Sequence, residues 1–122
     1  MILEKGLENS IIFRFGISEE EKKQELQTFS CYVSMSEHEG FGIPLLRHFL
    51  LDKPILCLEN ENSGCFDFLN NNNSYIIPSV QITAKDEFMH LYTKNTKWAI
   101  PNINHVIKYY ELVYNDLKNN TL

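Results

Sequence analysis

The apolar positions of this chain fall into short, dense runs separated by polar and glycine-bearing stretches. Ile11, Ile12, Phe13 and Phe15 form the first run, broken by Gly16, and a β-branched and aromatic cluster of this length predicts a buried strand over 10–17. Ser18-Glu19-Glu20-Glu21 then reads as a capping box: the Ser18 hydroxyl accepts from the third helical amide while Glu21 reaches back. The three acids also suit the positive end of a helix dipole. That helix is predicted to run to about Phe29 and to bury Leu26 and Phe29. Cys31, Tyr32, Val33 and Met35 predict a second strand over 30–36.

A polar, glycine-rich loop follows, Glu37-His38-Glu39-Gly40-Phe41-Gly42-Ile43. Pro44 fits the first turn of a helix, where its missing N–H costs nothing, and the helix 44–51 stops at Asp52-Lys53-Pro54. Ile55 to Leu58 is apolar at every position, as expected of a parallel strand covered on both faces. Residues 65–70 suggest a short helix, 70–73 an Asn-rich loop, and Tyr75-Ile76-Ile77 a fourth strand closed by Pro78. Residues 84–94 predict a helix with Phe88 and Leu91 on one face, and 96–98 a connector. In the last segment Ile103, Ile107, Tyr110, Tyr114 and Leu117 recur every three or four residues, which predicts the buried face of an amphipathic helix ending near Lys118.

Strands alternating with helices at this spacing predict an α/β fold, a Rossmann-like, doubly wound parallel sheet of about four strands with flanking helices. At 122 residues the chain holds one domain over 1–122 with one core. Eleven Lys and Arg against sixteen Asp and Glu leave a net charge of −5, so the basic footprint of a nucleic-acid binder is missing. The most apolar stretch, 41–58, is interrupted by Arg47, His48, Asp52 and Lys53, and no transmembrane segment is predicted. The first residues have neither a long apolar core nor a small-residue cleavage site, which predicts a cytoplasmic protein without a signal peptide. Cys31, Cys57 and Cys65 are odd in number and widely spaced, as expected of reduced, buried thiols. The four histidines pair with no cysteine at ligand spacing, so neither a metal nor another cofactor is expected.

In such a sheet, ligands bind outside the carboxyl ends of the strands, and the segment 37–43 sits at such an end, just before a helix. Gly40 and Gly42 let the backbone turn sharply and approach a ligand closely. The amides of Phe41, Gly42 and Ile43 lie near the helix N-terminus, which attracts anions such as phosphate. Glu39 can accept from hydroxyl groups. An anion site with a hydroxyl acceptor beside it suits a sugar phosphate, although many glycine-rich turns of this kind are only turns. Arg47 reads as a cation in the first turn of its helix, opposed by the dipole. It has two readings: an intramolecular ion pair with Glu37 or Glu39 or else a solvent-exposed Arg, against contact with a bound phosphate. His38 is either a loop histidine bonded to backbone or a ligand contact, and His48 reads as structural.

The phrase Ser36-Glu37-His38-Glu39-Gly40-Phe41-Gly42-Ile43-Pro44-Leu45-Leu46, followed by Lys53-Pro54-Ile55, resembles the donor-site motif of group 1 (family 4) GT-B glycosyltransferases, most closely the mannosyltransferase-like subgroup. Gly64 and Asp67 stand where that family has a Gly…Glu segment, and Trp98 with the last helix resembles its closing helix. The resemblance implies that Glu39 is the catalytic, sugar-contacting carboxylate. His38, Gly40, Phe41, Gly42 and Ile43 would then hold the sugar and diphosphate of a nucleotide sugar such as GDP-mannose or a UDP-hexose. The family carries a second Glu eight positions after the first, on the ribose; here that position is Arg47. A guanidinium only donates hydrogen bonds, so it cannot accept from ribose hydroxyls as a carboxylate does. Neither Arg14, on a predicted strand, nor Lys5 replaces the family's diphosphate-neutralising Lys and Arg.

The same resemblance implies a partial donor-binding domain, with catalysis in a cleft that a second, acceptor-binding domain completes. The expectation is a glycosyltransferase-type domain for hexosyl transfer to a glycan or lipid, a fragment or subunit inactive alone, working with an acceptor-domain subunit. The alternative is a non-catalytic, degenerate module acting in protein–protein association, forming a homo-oligomer through the C-terminal helix. A third reading, an unrelated small α/β domain with a fortuitous loop, would be favoured by a structure without a strand–loop–helix over 30–51.

Overall fold

A computed structural model of the chain describes residues 6–36, 40–60, 63–83 and 96–120. The elements, in chain order, are α1 (Glu19–Thr28), β1 (Tyr32–Ser34), α2 (Ile43–Leu50), β2 (Ile55–Leu58), a one-turn 3-10 helix (Gly64–Asp67), β3 (Tyr75–Ile77), β4 (Ser79–Thr83), β5 (Lys97–Pro101) and α3 (Ile103–Asn119). β1, β2 and β3 form a three-stranded parallel sheet in that order, and β4 and β5 form a separate antiparallel pair. Tyr32 pairs with Ile55 and Leu56 with Tyr75 in the parallel sheet; Val80 pairs with Ile100 in the hairpin. The α/β class with flanking helices expected from the sequence is therefore present, and the parallel sheet has three strands.

β2 organises the interior. All four of its residues are buried, and their alternation sends them to opposite faces of the sheet. Ile55 and Cys57 pack with Leu45 of α2, Cys65 and Leu69, with Tyr32, Phe49, Phe66 and Phe68 at the margin. Leu56 and Leu58 pack on the other face with Ile77, Ala99 of β5 and Val113 of α3. An uninterrupted apolar run is what a central parallel strand requires, since neither of its faces meets water.

Residues 10–17 are not a strand, contrary to the expectation from their composition. Among the described residues no partner strand is hydrogen-bonded to them, and Ile12, Phe13 and Phe15 are exposed, at 82%, 62% and 83%. A strand exists only through its ladder, and β propensity without a neighbouring edge does not make one. The segment is instead tied to α1 by an ion pair from Arg14 to Glu25 and turned by Gly16 at φ 61°. The capping box of α1 is formed: Glu21 N donates to Ser18 Oγ at 3.2 Å and Ser18 N to Glu21 Oε2 at 2.7 Å. The burial expected for this helix is absent, since Leu26 is half-buried and Phe29 is 42% exposed. One apolar side chain in Glu19–Thr28 makes no stripe to bury.

Two further differences lie near the C-terminus. In place of the connector expected over 96–98, Lys97 and Trp98 begin β5, paired with a strand, β4, that the sequence pattern does not indicate. The predicted helix 84–94 lies outside the described residues. α3 has the expected span, with Asn102 capping it by accepting from the amides of Asn104 and His105. Of the five side chains expected on its buried face, only Leu117 packs on the core. Val113 is buried and Val106, Tyr109 and Leu117 pack beside it, whereas Ile103, Ile107, Tyr110 and Tyr114 face solvent. Tyr75 Oη donates to Asp116 Oδ2 at 2.7 Å and locks this helix to β3.

Candidate functional site

The strand–loop–helix over 30–51 is present: β1 ends at Ser34, and the chain re-emerges at Gly40 to enter α2 at Ile43. Glu37, His38 and Glu39 lie outside the described residues, so the structure describes the C-terminal half of the loop. Gly42 is the N-cap of α2, buried and left-handed at φ 81° and ψ 54°. A side chain at that φ is strained, which is why glycine occupies the position. Among the described residues no side chain caps this turn, and Pro44 removes one of its donors. The first-turn amides therefore keep the partial positive charge and unfilled hydrogen-bonding capacity that attract an anion.

The loop is pinned from behind. Gly64 N donates to Gly40 O at 2.6 Å, joining the start of the 3-10 helix after β2 to the loop after β1. A Cβ on Gly64 would collide with the Gly40 carbonyl, so the absence of a side chain permits this approach. Phe41 is half-exposed and rests its ring on Phe68, 5.6 Å between centroids; Phe68 also meets Phe49 of α2 at 5.7 Å. Two adjacent carboxyl-end loops, after β1 and after β2, are thus held as one surface. In the sequence Gly64 stands out through the resemblance alone; its close contact with Gly40 explains the glycine physically.

Ile43 and Arg47 follow one another a turn apart on the exposed side of α2, Ile43 being 58% exposed. Arg47 stands in the last turn of this eight-residue helix, so the dipole favours the cation rather than opposing it. Its Nη1 is 4.0 Å from Glu19 Oε2 on α1, a loose, exposed pair. Glu19 is held below the usual carboxylate range chiefly by its bond to Lys22, with Arg47 a lesser influence. Among the described residues the guanidinium has no tighter ion pair.

His48 has the structural place its sequence context suggests. It is buried, stacks on Tyr32 at 4.0 Å between centroids, and its Nδ1 bonds Pro44 O at 2.7 Å. The opposite ring nitrogen, Nε2, is buried and has no hydrogen-bond partner among the described residues. Among the described residues there is no disulfide and no group of His, Cys, Asp or Glu suited to a metal. Burial pushes the Cys57 thiol up to about 12, with the neighbouring Cys65 thiol adding to it, and burial also raises Cys31. Thiols held protonated in this way are inert packing groups. No described helix is long and apolar enough to cross a membrane.

Over 57 residues the chain is 37% identical to alpha-1,3/1,6-mannosyltransferase ALG2 of Dictyostelium discoideum. It has a distant glycosyltransferase relationship. The matched stretch is 47% of this chain and 14% of that protein, so the chain spans a small part of its relative's length. No family model matches the chain, and no solved structure matches it significantly.

Proposed function

We propose that the chain is a donor-binding domain of glycosyltransferase type, in which the loop 37–43 and the first turn of α2 hold a nucleotide sugar. The observation that carries this reading is the uncapped N-terminus of α2, entered through left-handed Gly42 at the carboxyl end of a parallel strand. The partial likeness to a mannosyltransferase supports it and favours GDP-mannose, with UDP-hexoses as the related class. In this reading the amides of 40–43 bind sugar and diphosphate oxygens, Glu39 accepts from sugar hydroxyls, and His38 borders the sugar. Arg47, one turn along the exposed face from Ile43, reaches the diphosphate, because a guanidinium pairs with phosphate and not with hydroxyl donors.

Hexosyl transfer then takes place only with an acceptor-binding surface from another domain or subunit, since catalysis needs both reactants positioned together. The working compartment in this reading is the cytoplasm. A second reading, a non-catalytic association module, is favoured by the cation at position 47 and by the solvent-facing apolar stripe of α3. Calorimetric titration with GDP-mannose, UDP-glucose and free GDP separates the two. The donor-binding reading expects saturable binding that weakens about tenfold or more in Gly42→Val. Absence of binding to all three, with and without an acceptor-domain chain supplied, leaves the association module standing.

A further inference from the structure

α3 has two apolar faces, and the sheet uses one. Val106, Tyr109, Val113 and Leu117 pack on the core, while Ile103, Ile107, Tyr110 and Tyr114 remain exposed along one line, at 67%, 51%, 47% and 64%; Leu112, 45% exposed, lies off that line. The exposed set is spaced by four, three and four residues. That is the alternation of a coiled-coil seam, about 3.5 residues per repeat, which packs against another helix. A seam of large side chains left in water along most of α3 is a surface that needs a cover.

We infer that this seam pairs with the same seam of a second copy of the chain, the two α3 helices running antiparallel about a two-fold axis. The side chains choose this arrangement. With the axis between 108 and 109, Ile103 lies across from Tyr114 of the second copy and Ile107 across from Tyr110 of the second copy. Each of the four layers then joins one aliphatic side chain to one ring, so the layers have equal volume. Parallel pairing would set Tyr on Tyr in two layers and Ile on Ile in the other two, overfilling some and leaving gaps in the rest. On the outer margin, Glu111 of one copy comes beside Asn104 of the other, a carboxylate next to an amide donor. The contact is isologous and closes at two.

Four side chains so exposed offer about 500 Å² per chain, so the pair buries about 1,000 Å², the lower bound for a specific interface. The dimer is therefore weak and concentration-dependent. This inference is independent of nucleotide-sugar binding, which takes place on α2 and the 37–43 loop.

Sedimentation of the full chain from low micromolar to millimolar concentration tests it. The wild type is expected to shift reversibly from monomer to dimer, and Ile107→Glu and Tyr110→Lys are each expected to weaken association about tenfold or more. Both positions are exposed, and far-ultraviolet circular dichroism confirms that each variant keeps its fold. An equimolar mixture of the two variants is expected to regain a dimer, because the carboxylate introduced at position 107 of one copy then faces the ammonium introduced at position 110 of the other. A wild type that stays monomeric throughout overturns the proposal, as does a dimer indifferent to both substitutions. Failure of the mixture to associate overturns the antiparallel pairing. Wild-type binding of nucleotide sugar has no bearing on any of these outcomes.

Discussion

Gly64 and Gly42 do different work within the same surface. Gly64 is a matter of space, its Cα lying where any Cβ would meet the Gly40 carbonyl. Gly64→Ala is expected to push the two loops apart and cost about 1–3 kcal/mol, read as a lowered urea midpoint. Gly42 is a matter of backbone, a buried left-handed N-cap. His48 belongs to packing: truncation to Ala removes a fully buried ring and its bond to Pro44 O, with an expected loss of about 2–4 kcal/mol in the same assay. The Cys57 thiol and the Tyr75 phenol set the response to alkali. Cys57 is raised from 9.0 to about 12, and Tyr75 from 10.0 to about 12, by burial first and then by its bond to Asp116. The unfolded chain therefore releases these protons first, the native state binds more, and stability must fall as pH rises. The contribution is complete below pH 9 and is lost between about 9 and 12. Urea midpoints measured across that range should decline, and Cys57→Ala should make the early decline shallower; a flat profile would contradict the assignment.

At the level of elements, legibility in the sequence tracks how many constraints a segment satisfies on its own. The capping box of α1, the proline entry of α2 and the fully apolar β2 each state their structure locally, and each is observed. Residues 10–17 show the opposite case: a strand needs a partner edge, and composition is silent about whether one is present. β4 and β5 escape a reading of local pattern because their ladder joins positions such as Val80 and Ile100, far apart in the chain. In α3 the period is legible while the buried face is not. Two apolar stripes lie side by side on that helix, and periodicity alone does not say which one meets the sheet. The load on β2 makes a direct expectation: Leu56→Ala, in one core cluster with both Ile77 and Ala99, should cost about 2–5 kcal/mol. A comparable substitution at exposed Val80 should stay within about 0.5 kcal/mol.

At the scale of the molecule, a three-stranded parallel sheet carries two small cores and presents its loops at the carboxyl ends of β1 and β2. Much of the candidate site is legible because glycine and proline positions around 40–44 describe backbone geometry directly. The side chains that would discriminate a ligand, at 37–39, lie outside the described residues. Arg47 is placed by the sequence pattern nearer the start of its helix than the structure has it. The acidic balance of the chain, −5, makes recruitment of a polyanionic nucleotide sugar depend on local donors and not on the overall field. The central claim is that those local donors are the backbone amides of 40–43. Amide-resolved NMR during titration with GDP-mannose tests it most directly. Saturable shifts at Gly40, Phe41, Gly42 and Ile43, lost in Gly42→Val while the rest of the spectrum stays folded, are the expected result. Saturable binding that leaves these four amides unmoved, or no binding of GDP-mannose, UDP-glucose or GDP at millimolar concentration, would contradict it.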